Sequence, residues 1–262
     1  MRRSVCIFFL GFAAVLLTVS GCSRFVGPAE RPMPLAEEEW RAALGDRGRH
    51  WQKYTASFHL RADSAKGKYP LRAVVLADLP DRLRLEAFNL FGQTLGVIIY
   101  NKGESSLWVP SEKTLYTARK PEVLTQHFLG VSLPLNVLGY SLAASLPPEQ
   151  LETFKLLSER SRWVGQSQAR DDGWRYEWSF LSQPMTFKAF EARQGLWHYT
   201  VNYDPPVPLE VTESPRRIAF LSSDWQMDVT IDQIQTASHM WDDLFLPSFP
   251  GGVRRVSLDE HP

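Results

Sequence analysis

Alternation of apolar and polar residues dominates the chain from Tyr54 onward. Tyr54, Phe58 and Leu60 alternate with more polar neighbours, and Leu83 and Leu85 alternate with arginines. Successive side chains of a strand point to opposite faces of a sheet, so this pattern predicts strands with one buried face. A chain of 262 residues is long enough for one large all-β domain. We therefore expect a mainly β fold built on an antiparallel meander.

Turn residues and helix signals divide this pattern into elements. Further strands are predicted at residues 69–76, 95–100, 106–109 and 114–118. Helices are predicted at residues 35–54, 121–129, 134–142 and 147–157. The second of these has Pro121 in its first turn and Gly130 at its end, as helices prefer. A cluster of helices thus interrupts the sheet once.

Strands return after Arg162 with aromatic residues along one face. Two interpretations stay open, namely ordinary core packing and an incompletely closed barrel whose helices cap an apolar pocket. The second interpretation predicts a set of apolar cavity-lining candidates: Phe58, Leu85, Trp174, Tyr176, Trp178, Phe180 and Trp225.

The N-terminus has the features of an export signal. Arg2 and Arg3 precede an apolar run at residues 5–19, and Ser20 and Gly21 follow it. The run is shorter than the roughly 20 residues that a spanning helix needs. Residues 1–21 are therefore predicted to be a signal peptide.

The end of this signal, Val19-Ser20-Gly21-Cys22, resembles the bacterial lipoprotein processing box. The resemblance implies that Cys22 becomes the acylated first residue of the mature chain, with residues 22–34 as a flexible tether. An ordinary signal peptide that contains a Cys is the alternative. Cys6, the other cysteine, lies within the signal, so the mature chain has no pair for a disulfide. By resemblance to enterobacterial lipoproteins, Ser23 favours outer-membrane delivery.

Charge and motifs argue against several function classes. The formal net charge is zero and no basic patch stands out, so we expect no nucleic-acid partner. Nucleophile elbows, zinc-binding His-Glu-x-x-His motifs and phosphate loops are absent from the sequence, and the six histidines are widely spaced. We expect no enzyme activity, no metal and no cofactor.

Three segments carry a resemblance to a known family. Asn89-Leu90-Phe91-Gly92 resembles the Asn-Pro-Leu-Gly hairpin of the LolB family of outer-membrane lipoprotein receptors. Residues 129–138 resemble that family's Gly-x-x-x-Pro-Leu-Asn-x-Leu helix junction, with Pro134, Leu135 and Asn136 at its centre. Residues 206–212 and 224–225 resemble its closing strands. The three segments occur in the family's order.

The resemblance implies both a fold and a function. The fold is an incomplete antiparallel β-barrel with a helical lid, shared with the periplasmic carrier LolA. The function is to accept lipoproteins from a LolA-like carrier, hold their acyl chains in an apolar cavity and insert them into the outer membrane. The chain is expected to be a lipid-anchored monomer that faces the periplasm and contacts outer-membrane lipids. Alternatives are a lipoprotein of the same fold that binds another lipid or glycolipid, and a structural envelope lipoprotein.

The hairpin at residues 89–93 has a role implied by the same resemblance. Phe91 falls on the family's exposed Leu, which touches the bilayer, and Leu90 replaces the family's Pro. Leu90 and Phe91 are therefore predicted to form a membrane-insertion loop. The alternative is that both side chains fold back into the core.

The expected domain is residues 35–232, with its helices near 121–157. Residues 233–262 extend past the closing strands and contain apolar side chains such as Trp241 and Phe245. This extension is compatible with an extra strand, a lid over the cavity or a partner-binding arm.

Overall fold

One large sheet forms the framework of the protein. The computed structural model describes residues 36–159, 162–168, 175–182, 185–195, 197–247 and 251–259. In these ranges the strands are β1 (Lys53–Ser64), β2 (Gly67–Asp78), β3 (Arg82–Phe88), β4 (Thr94–Asn101), β5 (Glu104–Val109), β6 (Thr114–Ala118), β7 (Lys155–Glu159), β8 (Arg162–Gln168), β9 (Arg175–Ser182), β10 (Met185–Gln194), β11 (Trp197–Pro208), β12 (Arg217–Ser222), β13 (Trp225–Thr236) and β14 (Arg254–Ser257).

The strand order is β14-β6-β5-β4-β3-β2-β1-β13-β12-β11-β10-β9-β8-β7. Neighbours pair antiparallel, except that β14 lies parallel to β6. The outer strands β14 and β7 do not pair with each other, so the sheet is open. The prediction of a mainly β, incompletely closed barrel is confirmed.

Alternating burial follows the sequence pattern. Tyr54, Phe58 and Leu60 of β1 and Leu83 and Leu85 of β3 are buried on one face, while their neighbours are more exposed. Because the side-chain period of a strand is two, β1 and β3 contribute their apolar halves to the same face. That face is covered by helices.

Four helices lie in the described ranges: α1 (Glu37–His50), α2 (Pro121–Leu129), α3 (Leu135–Leu142) and α4 (Pro148–Thr153). The predicted stop of α2 is confirmed, because Gly130 has the left-handed φ of 72°. The helix predicted over residues 147–157 is wrong in its second half. Phe154 is extended, and the following residues pair with β8 as strand β7. Strand pairing outweighs the local helical preference there.

The helices pack closely against the apolar face. The ring of Trp40 on α1 meets that of Phe180 at a centroid distance of 4.8 Å. A Cβ on Gly139 of α3 would lie 2.8 Å from the Leu79 side chain, so any larger residue would force Leu79 to move. The Tyr54 hydroxyl donates to the Gly139 carbonyl. Sheet and helices therefore share one core.

A buried arginine joins three parts of this core. The Arg47 guanidinium on α1 is fully buried and donates to backbone carbonyls. Its acceptors are Ala143 and Ala144 at 2.7 Å, Glu213 at 2.7 Å, Glu210 at 2.8 Å and Pro208 at 3.3 Å. Burial lowers the pKa of Arg47 to about 10, so it stays charged at neutral pH. The cation thus ties α1 to the end of α3 and to the β11–β12 connection.

The C-terminal segment covers the outer face of the sheet. Strand β13 crosses the expected boundary at 232/233 and ends at Thr236. A 3-10 turn at Asp242–Phe245 then buries Phe245, with the Arg82 guanidinium 4.7 Å from its ring centroid. β14 finally extends the sheet beyond β6.

Within the described ranges, no helix is long and apolar enough to span a bilayer.

Replacement of Arg47 by Met is expected to lower the free energy of unfolding by about 3 kcal/mol or more, because buried carbonyls lose their donor. Arg49→Met is the matched control, since Arg49 is exposed on the same helix. The control is expected to change stability by about 0.5 kcal/mol or less. Urea unfolding of both variants measures the difference. Equal, small effects would contradict a central role for Arg47.

Candidate functional site

The β3–β4 turn is held by its own hydrogen bonds. The Asn89 side-chain oxygen accepts from the Phe91 amide at 2.9 Å and from the Gln93 amide at 3.0 Å. Its side-chain NH₂ donates to the Gln93 side chain at 2.8 Å. Gly92 has a φ of +81°, which an L-residue rarely adopts. The turn therefore has a defined shape that does not rely on contacts with the core.

Leu90 and Phe91 project from this turn into solvent. Their exposed fractions are 66% and 92%. Both lie in the group of large apolar side chains that the described structure leaves exposed. The arrangement presents an apolar pair at one end of the sheet.

The register places other turns at the same end. Arg72 of β2 pairs with Phe88, directly before the tip. Ser64 pairs with Trp225, and Tyr199 pairs with Ser222. The β1–β2, β10–β11 and β12–β13 turns therefore lie at the end of the sheet that carries Leu90 and Phe91.

A cavity of about 320 Å³ opens between α2 and the sheet at this end. Its lining comes from α2, the α2–α3 junction and strands β10 to β13: Lys120, Glu122, Val123, Gln126, Ser132, Pro134, Gln194, His198, Tyr199, Ser222 and Trp225. Val123, Pro134, Tyr199 and Trp225 supply apolar surface, while the other residues are polar or charged. A cavity of this composition fits an apolar ligand with a polar head.

The junction of α2 and α3 is fixed by a threonine. The Thr125 hydroxyl donates to the Leu133 carbonyl at 3.0 Å and accepts from the Leu133 amide at 3.1 Å. Pro134 reaches the cavity, Leu135 is buried, and the Asn136 side chain accepts from the Val137 amide at 2.9 Å. Of the three predicted junction residues, Pro134 is the one that lines the cavity.

The β1–β2 turn supports the far end of α2. The Lys66 ammonium donates to the His127 carbonyl at 2.6 Å, and the Ser64 hydroxyl donates to the Leu129 carbonyl at 3.2 Å. These carbonyls lie at the helix C-terminus, where cations are favourable. Burial, with the nearby Lys66 charge, lowers the pKa of His127. The imidazole packs on Tyr116 at a ring distance of 4.4 Å.

The predicted cavity-lining residues separate into three groups. Trp225 lines the cavity. Phe58, Leu85, Tyr176, Trp178 and Phe180 belong to the buried core, where Phe180 contacts Trp40 and Phe154. Trp174 lies outside the described residues, as does Cys22. The described members of this set thus share one face of the sheet, but the cavity lies at one end of that face.

Several cavity residues were missed by the sequence analysis. Val123 and Gln126 lie on α2, while Gln194, His198 and Ser222 come from separate strands. No local sequence pattern groups them, because the long crossover between the two halves of the sheet brings them together. Ser132 is the exception, since it lies within the helix-junction segment at residues 129–138.

The open sheet, its helical cover and the cavity between them define a class of open-barrel proteins with a pocket beneath the helices. Two solved structures share the fold. A LolA superfamily protein from Nitrosomonas europaea matches with a TM-score of 0.54 and 11% identity over 79% of this chain and 97% of its own. A candidate outer membrane lipoprotein-sorting protein domain from Vibrio parahaemolyticus matches with a TM-score of 0.53 and 10% identity over 80% and 97%. At such identities these likenesses show the fold alone.

A family model described as "Outer membrane lipoprotein LolB" matches residues 66–233, more than half of the chain. The chain belongs to the LolB family. Membership assigns it a function of the lipoprotein-localisation type, with lipoproteins and a LolA-like carrier as the implied partners. No curated protein matches the sequence.

Filling the cavity is expected to weaken binding of a fluorescent fatty acid. Val123→Trp adds an indole to the α2 wall, and overpacking a filled site costs about 1–3 kcal/mol, so affinity should fall roughly tenfold. Val74→Trp is the matched control, because Val74 is exposed on the outer face of β2. Fluorescence titration measures both variants. Unchanged binding by Val123→Trp would place the ligand elsewhere.

Proposed function

We propose that the protein receives lipoproteins from a periplasmic LolA-like carrier and inserts them into the outer membrane. The observation that carries this proposal is the placement of the cavity and the exposed Leu90–Phe91 tip at one end of the sheet. A ligand released from the cavity there leaves at the same end of the sheet as the proposed membrane-contacting turn. The activity is binding and transfer, without catalysis.

The cavity provides the site for acyl chains. Val123, Pro134 and Trp225 offer apolar contacts, and Gln126 and Ser132 at the same cavity offer hydrogen bonds to the ester and amide groups that join acyl chains to a lipoprotein. Burial of acyl methylenes contributes about 0.8 kcal/mol each. The affinity is therefore proposed to come from the chains, and the polar residues set how deeply they enter.

The tip provides the contact with the bilayer. Transfer of exposed apolar surface out of water is favourable by about 25 cal/mol per Å². Phe91 and Leu90 project from a turn whose backbone is fixed by Asn89. Little conformational entropy is lost when such a turn enters the headgroup region, which favours a rigid turn over a flexible one.

The proposed anchor is an acylated Cys22 in the outer membrane, with the domain in the periplasm and acting as a monomer. One acyl chain binds a membrane only marginally, whereas two or more hold a protein stably. A tether from residue 22 to α1 at Glu37 spans up to roughly 50 Å when extended.

A second candidate is a carrier of a smaller lipid with the same fold. The cavity of about 320 Å³ lies near the lower end of ligand pockets, which favours a ligand smaller than a triacylated protein. Native mass spectrometry distinguishes the candidates. Bound single-chain lipid, together with a failure to accept lipoprotein, would support the second.

Loss of the apolar tip is expected to block release but not uptake. The test uses the chain from Ser23 onward, which retains the compact unit Pro34–Pro262. A LolA-like carrier loaded with labelled lipoprotein is mixed with this protein and then with liposomes. In Leu90→Glu/Phe91→Glu, transfer to liposomes should fall roughly tenfold or more, because two apolar contacts become charged.

The matched control for the tip is Trp241→Glu/Leu246→Glu. Both side chains are exposed, and they flank the turn that contacts Arg82 at the opposite end of β3. Transfer by this variant should equal that of wild type. A wild-type protein that accepts no cargo would overturn the proposed function.

Substitution Cys22→Ala is expected to release the full-length protein from the membrane. The thiol that would carry the diacylglyceryl group is lost, and a tip alone gives reversible binding. Membrane fractionation of cells that express each form measures the change. Membrane retention of the variant at the wild-type level would contradict an anchor at Cys22.

A further inference from the structure

We propose that a cationic edge beside the tip, formed by Lys66, Lys68 and Arg72, binds the anionic headgroups of a phospholipid bilayer. The inference rests on the proposed function, because it assumes that the tip meets a membrane. The cationic edge gives the protein a preference for anionic over neutral lipids, in addition to the apolar contact that the tip makes. The assignment of this edge as a headgroup-binding surface rests on its position beside the tip, its positive charge and its exposure to solvent.

The register fixes the position of the cationic edge. Arg72 is the cross-strand partner of Phe88, the last strand residue before the tip. Lys68 lies four residues further along β2, about 13 Å toward the end of the β1–β2 hairpin. Both are exposed on the same face of β2, since Leu71 between them is buried. Lys66 occupies the adjoining turn. The cationic β1–β2 hairpin thus lies next to the apolar tip and extends beyond it.

The charges of this edge are only partly neutralised. Lys68 forms an ion pair with Asp63 at 2.9 Å. Lys66 donates to the His127 carbonyl, which carries no charge, so this contact does not neutralise the ammonium group. Among the described residues, no hydrogen bond or ion pair engages the Arg72 guanidinium. The end of the β1–β2 hairpin therefore carries one carboxylate, Asp63, and the three cations of the edge.

The tip itself contributes no charge that would oppose this attraction. Residues 88–94 contain neither acidic nor basic side chains. The closest carboxylate on β3, Glu86, is held by Arg84 at 2.6 Å. The formal charge of the whole chain is zero, so the excess of cations is a feature of the β1–β2 hairpin and not of the chain as a whole. Asp224, in the neighbouring β12–β13 turn, is an exposed carboxylate at the same end of the sheet.

Apolar and cationic contacts reinforce each other at a bilayer. A small apolar tip alone gives weak, reversible binding, whereas each Lys or Arg near an anionic surface strengthens it by roughly fivefold. The field of the headgroups reaches about 8 Å in physiological salt, so the cations act only when the tip is at the surface. The two hairpins together therefore orient the cavity mouth toward an anionic membrane.

The test measures vesicle binding of the chain from Ser23 onward. The vesicles are phosphatidylcholine alone or an equimolar mixture with phosphatidylglycerol. Wild type is expected to bind the anionic vesicles more tightly, and added salt should remove this gain. Lys68→Gln/Arg72→Gln should lose roughly fivefold for each cation on anionic vesicles and bind neutral vesicles as wild type does. Lys66 is left intact because it also supports α2.

Arg216→Gln/Arg217→Gln is the matched control. Both residues are exposed in and after the β11–β12 connection, at the opposite end of the sheet, and the charge change is the same. This variant should keep the wild-type preference, and inorganic phosphate at constant ionic strength should not compete with vesicles. Thermal melts confirm that all variants are folded.

The outcomes that contradict the cationic edge differ from those that contradict the membrane role of the tip. An unchanged lipid preference in Lys68→Gln/Arg72→Gln, or an equal loss in the control, would overturn the cationic edge and leave the proposed function standing. Competition by free phosphate would overturn a bilayer as the partner. Absence of wild-type binding to either vesicle, with Leu90→Glu/Phe91→Glu indistinguishable from it, would overturn the membrane role of the tip and this inference with it.

Discussion

The buried Arg47 guanidinium is the interaction on which the arrangement of helices and sheet depends. Its hydrogen bonds reach the end of α3 and the β11–β12 connection from a position on α1. A buried cation demands acceptors in a narrow geometry, because its desolvation is unfavourable without them. Three chain segments distant in sequence must therefore come together at one point. Apolar packing alone would permit many relative positions of helices and sheet, whereas this cation permits few.

The helix-covered face of the sheet has a closely packed region and an open region. Phe180, packed against Trp40, belongs to the closely packed part of the helix-covered face. Trp225 and Pro134 lie where α2 leaves a gap above β10 to β13, and that gap is the cavity. The closely packed region around Trp40 and Phe180 thus holds the helices and strands in place around the cavity. The outer face is left to the C-terminal segment, whose Phe245 closes over β3 and β4.

The sequence predicted the fold more fully than the site. Period-two alternation identified β1 and β3 because their burial is set by one face, and Pro121 and Gly130 marked the limits of α2. Local preference failed at residues 155–157, where pairing with β8 decides the structure. The cavity was not predictable in detail, because its residues come from elements that meet only after the crossover. An aromatic stripe indicates the covered face of a strand, but not which part of that face stays open.

The self-contained tip has an evolutionary consequence. Asn89 and Gly92 determine the shape of the turn through local hydrogen bonds and a left-handed backbone, while Leu90 and Phe91 make no contribution to the core. Because neither side chain packs in the core, substitutions at these two exposed positions are expected to leave the fold unchanged. Selection is then free to vary the tip one side chain at a time, while the residues of the core stay constrained by their packing. The same hairpin is therefore a position at which other loop sequences can be grafted without disturbing the core.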